Sequence, residues 1–260
     1  MVLYFRLLGA SIRSRMQYKW DFLLTAVLYA LITAVDFLTV AAILHRYHSV
    51  AGWTLYEVAL LSGLASASQG LYRVFAAELD TFDKYLVGGE YDGLLIRPWP
   101  PLLSLLARNF DIGRIGAAVQ GYLVITIGLA GVLAQGAPGW LAFYVYLLPL
   151  SGAVIVTAIS IAVAGIGFFI TRINDLQTFA IGAPITAAAY PADIFPRWLR
   201  GLLTGLLPVT AIGYIPVRFA LGKGGTLLHL AVPFLAAAAA ITVALHVYRW
   251  GERRYQSTGS

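Results

Sequence analysis

The sequence predicts an all-α membrane protein. Six transmembrane helices are expected, with an N-terminal interfacial helix, an acid-rich segment after the second span and an outer re-entrant helical hairpin. Three observations carry this. The chain is 60% hydrophobic and only 12% charged, with a mean hydropathy of +0.79, about half the charged fraction of a soluble domain. Its apolar runs reach the roughly 20 residues that a bilayer-spanning helix needs. Its acids are concentrated, five of the twelve (Glu78, Asp80, Asp83, Glu90, Asp92) lying within fifteen residues.

Residues 1–19 place Val2, Phe5, Leu8 and Ile12 on one face and Arg6, Arg13 and Arg15 elsewhere, the pattern of a helix lying along a membrane surface. Arg6 interrupts Leu3–Leu8, and the basic residues follow it, the reverse of a cleavable leader. The expected spans are Phe22–Leu44, entered through Trp20 as an interface anchor, Leu55–Ala77, Ile115–Leu133, Trp140–Ile170 with a kink at Pro149, a short Leu176–Tyr190 capped by Asn174-Asp175, and Leu227–Trp250. Ala59, Ser62, Gly63, Ser66, Ala67 and Gly70 form a small-residue face suited to close helix packing.

Between the second and third spans lies Glu78–Pro101. A plain connector needs only a few turn residues. This one carries two amphipathic pieces split by Gly88-Gly89. Leu79, Phe82 and Leu86 share one face; Tyr91, Leu94 and Leu95 repeat the spacing until Pro98. Glu90 and Asp92 sit in the first turn of the second piece, where the helix dipole favours anions. Interfacial helices are usually basic, so an acidic one reads as a docking element. Residues 191–225 are too apolar for a solvated loop and too broken by Pro191, Pro196, Pro208 and Pro216 for one span. A hairpin of short helices dipping into the outer leaflet fits them, with its irregular backbone buried in protein.

Basic residues set the orientation. Placing both termini in the cytoplasm puts thirteen Lys and Arg inside and five outside: Arg46, Arg197, Arg200, Arg218 and Lys223. The positive-inside rule favours that arrangement and makes the acidic segment cytoplasmic.

Several activities are excluded or disfavoured. There is no cysteine, hence no disulfide or thiolate site. Gly222-Lys223-Gly224 lacks the upstream Gly and the following Ser or Thr of a phosphate-binding loop, so the chain is not expected to hydrolyse ATP. Leu60-Leu61-Ser62-Gly63 lacks the first Gly of an intramembrane serine-protease site. His45 and His48 stand at i, i+3, yet they flank an exterior turn and read as interfacial residues rather than metal ligands. Ionisable and polar residues within spans are functional candidates. Asp36 on the first span, and Gln69 and Arg73 one turn apart on the second, either line a translocation path or snorkel to the headgroups. Both readings stand for Asp36 and Arg73.

The organisation then resembles the membrane subunits of ABC-2 type transporters, particularly permeases related to daunorubicin-resistance exporters. The residues that carry this are Phe82-Asp83-x-Tyr85-Leu86-Val87-x-Gly89-Glu90-x-Asp92-x-Leu94-Leu95-x-Arg97-Pro98. Tyr190-Pro191 with Ile194-Phe195-Pro196, Leu207-Pro208-Val209, Tyr214-Ile215-Pro216 and the tail from Arg254 add to it. Gly88 departs from the family pattern, in which a basic or polar residue is common.

The resemblance implies one ABC-2 transmembrane domain over residues 1–260 and a bacterial inner-membrane location. It implies that residues 78–101 hold a coupling helix for a separate ABC ATPase, through Phe82, Asp83, Tyr85, Glu90, Asp92, Leu94, Leu95, Arg97 and Pro98. ATP and Mg would be bound by that partner and no cofactor by this chain. A second permease, identical or paralogous, would complete the path. Residues 191–225 would form an extracellular gate, with Tyr190, Phe195 and Trp198 as candidates beside Asp36, Gln69 and Arg73. Nucleic acid is not an expected partner. An ATP-independent channel or secondary carrier is the alternative, and an intramembrane enzyme a weaker one.

Overall fold

The computed structural model describes residues 51–108, 115–170 and 173–256, with Leu24, Val27, Leu28, Leu31, Val35 and Ser49 besides. The expectations for the interfacial helix, Trp20, Asp36, His45, His48 and the last four residues lie outside these. Leu24, Val27, Leu28, Leu31 and Val35 are helical and exposed. Their spacing sets them on a single helical face, which suits contact with lipid.

The helices, in order, are α1 (Leu55–Ala76), α2 (Phe82–Val87), α3 (Asp92–Leu95), α4 (Pro101–Arg108), α5 (Ile115–Ala134), α6 (Leu141–Ile170), α7 (Asn174–Gln177), α8 (Ala183–Ala188), α9 (Arg197–Gly205), α10 (Tyr214–Ala220) and α11 (Val232–Glu252). No strand occurs among the described residues. Three of these helices, α5, α6 and α11, are long and apolar enough to cross a membrane. The 22-residue α1 is less apolar because it carries Glu57, Gln69 and Arg73. It packs along both α5 and α6, and a helix shielded by neighbours tolerates polar residues that lipid would not.

The small-residue face does what its composition predicts. A Cβ on Gly63 would lie 2.6 Å from the Ile125 nitrogen, one on Gly70 2.4 Å from that of Ala118, and one on Gly121 2.3 Å from that of Ala67. At α1–α5 the backbones therefore approach as closely as glycine allows. On α6, Gly165 admits the backbone of Tyr248 in the same way, so α11 lies directly against α6.

Two elements differ from expectation. The fifth expected span is an interrupted helix: α7, a π turn over Thr178–Gly182, then α8, ending before Pro191. Its fifteen residues rise about 22 Å, short of the bilayer core. The last helix begins at Val232, because Leu227–Leu230 forms a separate 3-10 turn. In the proline-rich segment, α9 and the helical stretch Val209–Ala220 meet at 79°. Pro208 lies in the bend between them, as its missing N–H and fixed φ dictate.

Candidate functional site

The acidic segment begins as α1 ends. Ala77–Thr81 tighten into a 3-10 turn, α2 follows, and Gly88 caps it. Gly89 then takes φ +68°, a conformation that favours glycine, and turns the chain into α3. The apolar pattern is buried: Leu79, Phe82, Tyr85, Leu86, Tyr91 and Leu94 are all at most 3% exposed. They pack against α6 and α11 of the same chain.

Aromatic rings do the joining. Phe82 meets Phe168 of α6 edge-on at 5.4 Å, and Tyr91 meets Phe168 at 5.0 Å and Tyr255 at 4.9 Å. The Tyr91 hydroxyl donates to Glu252 Oε1 at 2.6 Å and stands 3.0 Å from the Tyr248 hydroxyl. Its single proton goes to the carboxylate, so Tyr248 donates to Tyr91. Burial, then the neighbouring Tyr248 and Glu252, push the Tyr91 phenol far up, so it remains a donor at any physiological pH. At α2, buried Glu78 accepts from Tyr85 and pairs with Lys84 Nζ at 2.7 Å. Burial and Glu78 also push the Tyr85 phenol up. The segment is thereby fastened to two long helices.

Within the expected docking segment the apolar side chains divide between the protein's own core and its surface. Leu94 is 1% exposed and belongs to the protein's own core. The surface lies at 95–100, where every residue is exposed; Leu95 is 47%, Ile96 87% and Trp99 50% accessible. Arg97 and Pro98 stand between them, Asp92 is half-buried, and Glu90 faces out towards Arg108 at 3.7 Å. α3 is a single turn, Asp92–Leu95, with Ile96 as its C-cap.

Gln69 and Arg73 come together in a cleft of about 340 Å³ at the same end of α1, lined also by Tyr72, Asp80, Gln177 and Thr178. Its wall is a directional relay. Gln177 Nε2 donates to the Leu79 carbonyl at 2.6 Å and to Ser160 Oγ at 2.9 Å; Ser160 and the Tyr72 hydroxyl are 2.8 Å apart; Tyr72 donates to Asp80 Oδ1 at 2.5 Å. Sequence spacing could not have joined these residues. Only the polar side chains on otherwise apolar helices mark them.

The chain matches the profile of the ABC-2 family transporter proteins over residues 30–259. The chain belongs to the ABC-2 transporter family. No curated protein matches it. An ABC-2 family member of this kind is a permease component of an ABC transporter, a multi-pass membrane protein that associates with an ABC ATPase subunit.

At the opposite end of the permease's α1, about 33 Å away by helical rise, a second polar cluster surrounds Asp193. It accepts from Tyr214 at 2.7 Å and from Trp53 Nε1 at 3.1 Å, and Arg200 lies 3.6 Å away. Burial alone would raise this carboxyl. The two hydrogen bonds and the charges of Arg218 and Arg200 outweigh it and hold it below the ordinary aspartate value. Lys223 pairs with Glu57 at 3.1 Å and donates to the Gly52 carbonyl at 2.6 Å. These bonds tie the bent segment to the start of α1. Tyr190 and Phe195 pack half-buried beside that core, while Trp198 is 71% exposed. Thus the gate candidates lie at one end of α1, and Gln69 with Arg73 at the other. Trp53 and Asp193 are not among the sequence candidates, and Tyr214 enters only through the resemblance, because each has an ordinary interfacial identity.

Proposed function

We propose that this permease is the membrane-spanning subunit of an ATP-driven exporter, working with a second permease and a pair of ABC ATPases. In this reading the exposed Leu95-Ile96-Arg97-Pro98-Trp99 knob enters a groove of the ATPase, with both termini on the same, cytoplasmic side as the charge bias favours. The observation that carries the reading is the construction of the acidic segment. It offers an apolar tip outward and is fastened inward by Phe82, Tyr85, Tyr91 and Leu94. A push on the tip is therefore delivered to α6 and α11 rather than absorbed by a loose loop. Asp83 and Glu90 give the tip an acidic rim.

At the far end, the Asp193 cluster supports an outer gate. A permease needs two packed arrangements that ATP binding biases, and ion pairs that hold the bent segment to α1 suit a closed one. The secondary-carrier reading gains nothing from the broken elements among the described residues, the π-interrupted helix and the α9–α10 bend. They are consecutive rather than placed in corresponding halves.

The test is reconstitution. The full chain is co-expressed with an ABC ATPase subunit from the same organism, and ATP-dependent transport is measured in proteoliposomes. Ile96→Asp is expected to insert normally, lose the ATPase on purification and abolish transport. Full ATP-dependent transport by Ile96→Asp would overturn the docking assignment. Transport by the chain alone, without an ATPase, would favour the carrier.

A further inference from the structure

The relay beside the cleft leaves one group over. Gln177 is 5% exposed, and both protons of its amide nitrogen are used, on the Leu79 carbonyl and Ser160. The amide cannot be reversed, because that would set two oxygens against each other at the 2.6 Å now occupied by the bond to Leu79. Its Oε1 is buried with no hydrogen-bond partner among the described residues. A buried acceptor without a donor is costly and rare. This one belongs to a residue lining the cleft, immediately before the π turn Thr178–Gly182, a helix irregularity that often accompanies function.

The cleft also holds Arg73, which makes no ion pair among the described residues, and Asp80. A ligand that suits both the orphan oxygen and the guanidinium must carry an N–H or O–H donor and an oxyanion. Among the described lining residues Arg73 is cationic and Asp80, which accepts from Tyr72, is anionic, so an overall neutral zwitterion fits better than a net anion. The cleft lies at the last turns of α1, next to the acidic segment, where the charge bias sets the inner headgroup level.

We propose that this cleft holds a primary-ammonium phosphodiester headgroup, that of phosphatidylethanolamine, with its ammonium on Gln177 Oε1 and its phosphate on Arg73. A trimethylammonium group has no proton to donate, so phosphatidylcholine of the same chains satisfies the arginine and leaves the oxygen orphaned. The site thereby distinguishes two zwitterions of equal charge. It rests on the membrane placement of the chain and not on its transport role.

Lipid retention tests this on the full chain without any ATPase, so its failure leaves the exporter reading intact. The purified permease is equilibrated in mixed micelles with equal phosphatidylethanolamine and phosphatidylcholine of matched acyl chains, and retained lipid is counted by native mass spectrometry. The ethanolamine lipid should be favoured about tenfold, the worth of one charge-assisted hydrogen bond. Gln177→Leu should bring the ratio close to one. Arg73→Gln, which breaks no bond within the described fold, should lower retention of both lipids. Soluble glycerophosphoethanolamine at millimolar concentration should not displace the lipid; displacement would assign the site to free headgroups instead. Equal retention of the two lipids by the wild type, or an unchanged pattern in Arg73→Gln, would overturn the proposal.

Discussion

Replacing Tyr91 by Phe isolates the bond that fastens the acidic segment to the last helix. The ring remains, and with it the edge-on contacts to Phe82 at 5.9 Å, Phe168 at 5.0 Å and Tyr255 at 4.9 Å. What is lost is the 2.6 Å donation to Glu252 and the 3.0 Å contact with Tyr248. A hydrogen bond to a charged acceptor contributes about 1.5–3 kcal/mol and a neutral one about 0.5–1.5 kcal/mol. Glu252 is half-buried, so water recovers part of its loss and the low ends apply. The expected cost is about 2 kcal/mol. Tyr91→Ala removes the ring as well and should cost about 3–5 kcal/mol more. Unfolding of the purified chain by SDS in mixed micelles, followed by circular dichroism, measures both. Tyr248→Phe and the double variant complete a cycle, whose coupling should be about 1 kcal/mol. If Tyr91→Phe unfolds within about 0.5 kcal/mol of wild type, as a surface change would, the fastening is not energetic and the lever argument fails. If the fastening holds, Tyr91→Phe should keep the ATPase bound yet slow transport, unlike Ile96→Asp.

Leu94→Asp should differ from Ile96→Asp in kind: a charge placed at a side chain 1% exposed should prevent folding, seen as loss of detergent-stable protein, whereas the 87% exposed Ile96 tolerates it. Gly121→Leu should open the α1–α5 contact, where a Cβ already falls 2.3 Å from Ala67, and sharply reduce thermal stability; Gly201→Ala on α9, with nothing within 4 Å, should be neutral or stabilising by about 0.5–1 kcal/mol. Asp193→Asn should weaken the attachment of the bent segment in a pH-dependent way. Because the native carboxyl is held below its ordinary value, its contribution is complete above about pH 4 and is lost as pH falls through the lowered value. The difference in melting temperature between wild type and Asp193→Asn should therefore be constant from neutral pH to about 4 and shrink below it. A gap that widens on acidification would contradict this.

Local signals were legible wherever a single element suffices to explain them. Gly63, Ala67 and Gly70 announced a close helix crossing, and they make one against Ala118, Gly121 and Ile125. Pro191 and Pro208 marked ends and bends, because a missing N–H acts where it stands. Gly88-Gly89 split the acidic segment as expected. The face containing Tyr91 and Leu94 is apolar, as its spacing predicts, and it is covered within the chain itself. An amphipathic spacing says that a face is covered, and not by which surface. Here α6 and α11 reach it first, leaving Leu95, Ile96 and Trp99 for a partner.

Composition and periodicity by themselves determined that the chain is a membrane-embedded bundle of helices with a charged, non-spanning segment between two of them. These are properties of transfer free energy summed over neighbouring residues, and they need no tertiary contact. The tertiary structure alone decided which polar groups meet. Tyr72, Asp80, Ser160 and Gln177 are up to 105 positions apart, and Tyr91 finds Glu252 at a separation of 161. Hydrogen bonds act only over about 3 Å, so their partners are set by how helices pack and not by how residues follow one another.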